Sequence, residues 1–220
     1  MKGQMAFDLG APTHLLREDF FVAASNAQAL RMVDGWADWP GGKLVLVGPP
    51  GAGKTHLAQV WGAAAGAVLV AGGDLAGLDL PSLGPRVAIE DAERIAGNAA
   101  GEAALFHLHN LILPAGRLLV TAALPPRDWG LGLPDLVSRL QAAPLARLEA
   151  PDDALLSAVL IKLFADRQIA VPPNLIPYLV SRIERSLAAA ANVVARLDAA
   201  ALAAGRSVTR AFAAEMLDKA

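Results

Sequence analysis

The chain has no cysteine in its 220 residues. That absence excludes disulfides, thiolate catalysis and cysteine-based metal sites. Cations are not in excess either: 19 Lys and Arg stand against 21 Asp and Glu, a formal net charge of −2. A protein that grips duplex DNA unaided carries a basic patch to neutralise phosphates. Here Lys and Arg are scattered, so direct sequence-specific DNA binding is not expected. No window offers about twenty uninterrupted apolar residues, the length a membrane span requires, and no membrane association is expected. The start, Met1-Lys2-Gly3-Gln4, runs into Asp8 without an apolar core, so no signal peptide is read there. A cytoplasmic protein is the expectation. There is no internal repeat and no Ser-His-Asp set. His107 and His109 are two apart on an expected helix and point to different faces, which argues against a metal pair.

What is present is apolar and rich in alanine, with 55% hydrophobic residues. That length and composition suffice for one α/β core and a smaller second domain. Its most informative stretch is Gly48-Pro49-Pro50-Gly51-Ala52-Gly53-Lys54-Thr55, which fits G-x-x-x-x-G-K-[ST]. Leu44-Val45-Leu46-Val47 before it reads as a buried strand and the run from His56 to Trp61 as a helix. Strand, glycine loop and helix form the context a phosphate-binding loop needs. Glycines let backbone N–H groups turn inward, and the helix N-terminus adds partial positive charge. Lys54 can reach the β- and γ-phosphates of a nucleotide, and the Thr55 hydroxyl can ligate Mg²⁺. ATP or ADP with Mg²⁺ is the expected ligand.

Apolar runs continue the pattern. Strands are expected over 67–70, 86–89, 118–121 and 145–148, with helices over 26–38 and 98–113. After Pro151 strands vanish, and helices are expected over 152–167, 173–183, 186–204 and 208–218. Strands alternating with helices predict a parallel sheet, and the later helical run predicts a second domain. The chain therefore divides into a tail at 1–19, an α/β domain at 20–150 and a helical domain at 151–220. Glu90-Asp91 closes the third expected strand. An acid there ligates Mg²⁺ in nucleoside triphosphatases, and the next one can orient the attacking water. Thr121 closes the fourth strand, where a hydroxyl can stand between the acids and the γ-phosphate; an ordinary β-branched strand residue fits equally.

Several runs now coincide: Gly53-Lys54-Thr55-His56-Leu57, Phe106-x-x-x-Asn110, the segment from Leu118 to Arg127, and Leu131-Gly-Leu-Pro-Asp-Leu-x-Ser-Arg-Leu140. Together they resemble the AAA+ module of the DnaA family, and within it the short Hda type. The resemblance runs from about Phe20 to Lys219. It implies an α/β AAA+ P-loop NTPase core, a five-stranded parallel sheet with flanking helices, followed by a small all-helical lid. It implies that Arg139 is an arginine finger acting on a neighbour's nucleotide; alternatively Arg139 pairs with Asp135 one helical turn back. It implies that Arg185, or its neighbour Arg182, is the sensor-2 arginine. Thr121 becomes sensor 1, His56 follows the loop, and the segment with Phe21 and Val22 frames the adenine.

The tail carries Gln4-Met5-Ala6-Phe7-Asp8-Leu9, similar to the peptide by which Hda-type proteins bind the DNA polymerase III sliding clamp. Met5, Phe7 and Leu9 can lie in an apolar groove while Gln4 fixes register. The implied function is a nucleotide-bound adaptor at the bacterial replisome. It binds the clamp, stimulates hydrolysis of DnaA-bound ATP through Arg139, and so restrains initiation of replication. The implied partners are the clamp and DnaA, with a homodimer left open. Glu90 stands where Asp is commoner and Asp91 where many AAA+ motors have Glu, which implies weak ATPase activity of its own. The competing readings are an autonomous AAA+ ATPase such as a helicase-loader-like protein and a DNA-binding initiator fragment.

Overall fold

A computed structural model describes residues 17–112 and 115–218. The tail motif at Gln4, Met5, Phe7 and Leu9 lies outside the described residues. Five strands, β1 (Lys43–Val47), β2 (Val68–Ala71), β3 (Arg86–Glu90), β4 (Arg117–Ala122) and β5 (Leu145–Arg147), form one sheet in the order β2-β3-β4-β1-β5. Every pairing is parallel. Parallel strands need crossovers, and the helices between them supply these.

Successive side chains of a strand face opposite ways, and the two cores divide accordingly. Val45, Val47, Val87, Ile89, Leu118 and Val120 pack on one side with helices α3 (Ala99–Ile112) and α4 (Pro134–Gln141). Leu44, Leu46, Ala88 and Leu119 pack on the other with α1 (Ala27–Asp34) and α2 (Lys54–Ala65). Covering on both faces is why these strands read as near-continuous apolar runs. Trp39 stacks on Trp61 of α2 with ring centroids 5.2 Å apart. Arg117 opens β4 and donates to the carbonyls of Trp36 and Ala37, so the turn before β1 is fastened to the sheet.

Helix ends follow local chemistry. Gly66 ends α2 in the left-handed conformation, as Gly205 ends the long lid helix. The expected helix over 26–38 is shorter: α1 stops at Asp34, and a separate 3₁₀ turn spans Trp36–Asp38. Gly35 interrupts it.

The helical run comprises α5 (Asp153–Asp166), α6 (Leu175–Val180), α7 (Leu187–Ala204) and α8 (Arg210–Leu217). It has its own core, built on Leu156, Leu160, Phe164, Val194, Leu197 and Phe212. Asp152, Ser186 and Thr209 cap α5, α7 and α8 by accepting from backbone N–H groups. Helix α7 has the length and hydropathy of a membrane span. Its Val193, Val194 and Leu197 are nevertheless spent on the lid core.

Candidate functional site

A cleft of about 810 Å³ opens where the carboxyl ends of β1 and β3 meet the helical domain. Ligands of open parallel sheets bind at that edge. Its floor is the loop from Pro50 to Thr55, its outer wall is the lid, and Phe20 and Phe21 line one side.

The loop holds left-handed backbone at Gly51 (φ 72°) and Gly53 (φ 102°). Those values turn the chain so that α2 begins at Lys54. Lys54 is buried, and its Nζ donates to the carbonyls of Gly48 at 2.8 Å and Pro49 at 3.2 Å. The ammonium is thus already held over the loop whose N–H groups can cradle a phosphate. His56 projects from the first turn of α2 toward Phe20, with ring centroids 5.2 Å apart.

The acids separate in role. Glu90 ends β3 half-buried and bonds to the Thr55 side chain. Its Oε1 is buried without a hydrogen-bond partner among the described residues. Burial raises its pKa, with help from Asp91, against the lowering effect of Thr55. A carboxylate with a spare buried oxygen beside a hydroxyl fits a hard divalent cation such as Mg²⁺. The sign of the linkage follows. The folded pKa exceeds the unfolded one, so ionised Glu90 lowers stability above the folded pKa, and that loss disappears as pH falls through it. Glu90→Gln is therefore expected to raise the melting temperature of the ligand-free protein at neutral pH. The same variant should be stabilised less by Mg²⁺-nucleotide than wild type; scanning calorimetry with and without ligand reads both effects.

Asp91 lines the cleft, whereas Glu90 and Thr121 are absent from its lining. It adopts a left-handed conformation (φ 49°), which Asp tolerates better than most residues. Its backbone N–H donates to Thr121 Oγ1 at 3.2 Å, and its exposed carboxylate lies 3.6 Å from Arg94. Thr121 is buried, so its hydroxyl braces the turn after β3.

Not every expected residue reaches the cleft. Phe21 lines it, but Val22 is 58% exposed and does not. Arg185 is absent from the lining; it pairs with Asp153 at 2.8 Å and donates to the Pro151 carbonyl. Arg182 pairs with Asp218 and lies over the Tyr178 ring. The face of α7 that meets the cleft carries Leu187, Ala188 and Ala191 instead of an arginine. The physical reason lies in the cap: Ser186 turns the chain there, and Arg185 falls on the side of Asp153.

Sequence reasoning missed several lining groups. Glu93 lines the cleft, accepts from the Ala123 N–H at 2.7 Å, and keeps a buried Oε2 without a partner among the described residues. Lys162 of α5 bonds Asp166 at 2.6 Å and reaches Asp19 at 3.1 Å, tying the lid to the entry segment. Leu155, Val159 and Leu163 form an apolar stripe on the same helix facing the cleft. The spacing of that stripe at i, i+4 and i+8 was the available signal.

Arg139 lies outside this cleft, half-buried on α4. It is not paired with Asp135 among the described residues. Its NH1 donates to Asn110 Oδ1 at 2.6 Å, and the guanidinium sits 4.8 Å from the Phe106 ring centroid. The start of α4 is fixed by Glu102, whose buried carboxylate accepts from the N–H groups of Gly132, Leu133 and Gly97. Burial alone would raise the Glu102 pKa, but these three donors outweigh it and hold the pKa low.

Comparison with known proteins agrees with this geometry. Residues 153–217 match the model of the Hda lid domain. Domain III of the Thermotoga maritima replication initiation protein DnaA has a TM-score of 0.83 at 20% identity, over 94% of this chain and 97% of that one. AMPPCP-bound DnaA from Aquifex aeolicus has a TM-score of 0.71 at 18% identity, over 87% of this chain and 66% of that one. A Thermotoga maritima RuvB mutant has a TM-score of 0.69 at 17% identity, over 91% of this chain and 70% of that one. The five-stranded core therefore shares the fold of domain III of that DnaA, and the helical run from 153 to 217 matches the Hda lid domain.

Proposed function

We propose that this chain is a nucleotide-bound adaptor that docks on the DNA polymerase III sliding clamp and stimulates hydrolysis of ATP held by DnaA. The observation that carries the reading is the position of Arg139. It stands outside the chain's own cleft, yet it is held by Phe106 and Asn110 in a defined pose. An arginine that serves a neighbour needs both properties. On the neighbour's ATP, water adds to the γ-phosphorus, the bridging oxygen leaves with ADP, and the guanidinium stabilises the charge that spreads over the phosphoryl oxygens.

The chain's own nucleotide, ADP or ATP with Mg²⁺, sets the angle between core and lid in this account. The 50–55 loop and Lys54 would hold its phosphates, Thr55 and Glu90 the cation, and Phe21 with the α5 stripe the base. Two DnaA proteins of similar fold bind AMPPCP, which supports a nucleotide here. Arg185 retains an indirect part: by anchoring Asp153 at the start of α5, it orients the helix that walls the cleft. The reading places the protein in the bacterial cytoplasm at the replisome, with DnaA and the clamp as partners.

The tail supplies the clamp contact. Deleting residues 4–9 is expected to abolish binding to the purified clamp in surface plasmon resonance, while nucleotide affinity stays at the wild-type value. Unchanged clamp binding by the deleted protein would remove the clamp from the account. A second reading, an autonomous AAA+ ATPase, draws on the complete phosphate loop and on Glu93. It requires sustained ATP turnover by the protein alone. The proposed adaptor requires turnover that appears only when DnaA, clamp and DNA are added.

A further inference from the structure

The face of α3 that meets α4 carries Phe106, His109 and Asn110 at i, i+3 and i+4. All three approach the Arg139 guanidinium. Asn110 accepts from NH1, Phe106 lies beneath the cation, and His109 Nδ1 stands 3.5 Å from the same NH1. Asn110 is exposed, whereas His109 is only 4% exposed. On the far side of the imidazole, Nε2 lies 3.2 Å from Nζ of Lys43, the first residue of β1.

This arrangement has an imbalance in hydrogen bonding. Ammonium and guanidinium groups only donate, and a neutral imidazole offers one acceptor nitrogen. One ring therefore faces two donors and can serve one at a time. The tautomer protonated on Nε2 accepts from Arg139; the tautomer protonated on Nδ1 accepts from Lys43. A protonated ring could serve neither and would add a third positive charge. Burial, Lys43 and Arg139 push the His109 pKa down to about 4 against the raising effect of its hydrogen bond with Asn110, so the ring is neutral at neutral pH. Lys43 feels the same crowding: burial and Arg139 lower its own pKa.

We propose that His109 is the positioning residue of Arg139, an uncharged acceptor that sets the guanidinium between Phe106 and Asn110 while Lys43 competes for the same ring. The proposal rests on Arg139 acting on a partner's ATP. His109 touches neither nucleotide; it acts through the arginine. Removing this acceptor leaves NH1 one hydrogen bond, to Asn110, and lets the guanidinium swing about it over the Phe106 ring. Removing Lys43 leaves the ring to Arg139 without competition.

The test measures hydrolysis of ATP preloaded on DnaA, with clamp and DNA, against the concentration of this protein. His109→Leu should lower the maximal rate about tenfold, since misplacing a reacting group by an ångström costs up to about a hundredfold. Its half-saturating concentration should stay within about twofold, because docking does not use the ring. His109→Gln, which keeps an acceptor, should recover most of the rate, and Lys43→Met should match or exceed wild type. Arg139→Ala is the reference for complete loss. If Arg139→Ala is inactive while His109→Leu keeps the full rate, the positioning role is wrong and the arginine reading stands. A His109→Leu loss confined to half-saturation also overturns it, as a docking contact. If Arg139→Ala stimulates normally, both fail together. Should His109→Leu not fold, the other two variants decide: Lys43→Met as impaired as Arg139→Ala overturns the proposal, and near-normal rates in both support it.

Discussion

Arg139→Ala is expected to reduce the stimulated hydrolysis of DnaA-bound ATP by about 10³-fold or more, the scale on which an arginine supplied in trans acts. The size follows from what the guanidinium contributes. It brings a fixed positive charge and a fork of donors to a transition state whose charge lies on the equatorial phosphoryl oxygens. Its own nucleotide cleft does not include Arg139, so affinity for Mg²⁺-ADP should be unchanged. That pairing of a large loss in trans with none in cis separates a finger from a structural arginine. Arg139→Lys should not rescue, because a point charge lacks the planar fork.

Gly51→Ala is expected to have the second large effect. Gly51 is left-handed at φ 72°, and a left-handed L-residue costs about 1–2 kcal/mol. More decisive is what surrounds it. A Cβ there would overlap Ser186 Oγ and stand 3.0 Å from Ser186 Cβ, and Ser186 is only 6% exposed. Ser186 also caps α7, and the next residue's N–H donates to the Gly51 carbonyl at 2.8 Å. Alanine at 51 therefore cannot coexist with the lid seated on the loop. Nucleotide affinity should fall at least about tenfold, since strain and lost lid contact together exceed about 1.4 kcal/mol. Gly97→Ala is the control: its φ is also positive, at 77°, but a Cβ there meets open space. It should carry the strain alone and leave nucleotide binding intact, as isothermal titration calorimetry would show.

The contact behind that prediction also explains how nucleotide state can reach the rest of the molecule. The lid touches the phosphate loop through backbone at Gly51 and Leu187. It touches the entry segment through Lys162 and Asp19. In the proposed function a nucleotide between these two latches would settle both, and the lid angle would then depend on what the cleft holds.

Much of the fold was legible in the chain because its signals are local. Strands β1, β3 and β4 are short runs of β-branched residues, leucine and alanine buried on both faces, so no alternation blurs them. Gly66 and Gly205 mark helix ends by backbone geometry that any reader of sequence can anticipate. The phosphate loop was legible for the same reason. Long-range partners were not. Glu102 looks like an ordinary helix acid, yet its carboxylate collects backbone donors thirty residues away at Gly132 and Leu133. Nothing near Glu93 in sequence predicts that Ala123 will donate to it. Arg185 shows how local chemistry sets a pose: the resemblance implies a place at the nucleotide, while in the structure Arg185 pairs with Asp153 beside the cap at Ser186. For Arg139, the alternative partner Asp135 loses to Asn110 and Phe106 on another helix.

One measurement tests the central claim most directly. DnaA is loaded with radiolabelled ATP, this protein is loaded with unlabelled ADP, and the fate of the label is followed with clamp and DNA present. The account predicts that the label on DnaA becomes ADP only when this protein, clamp and DNA are all present. If DnaA keeps its labelled ATP, while this protein alone hydrolyses added ATP at the same rate with or without those partners, the chain is an autonomous ATPase and the adaptor account is contradicted.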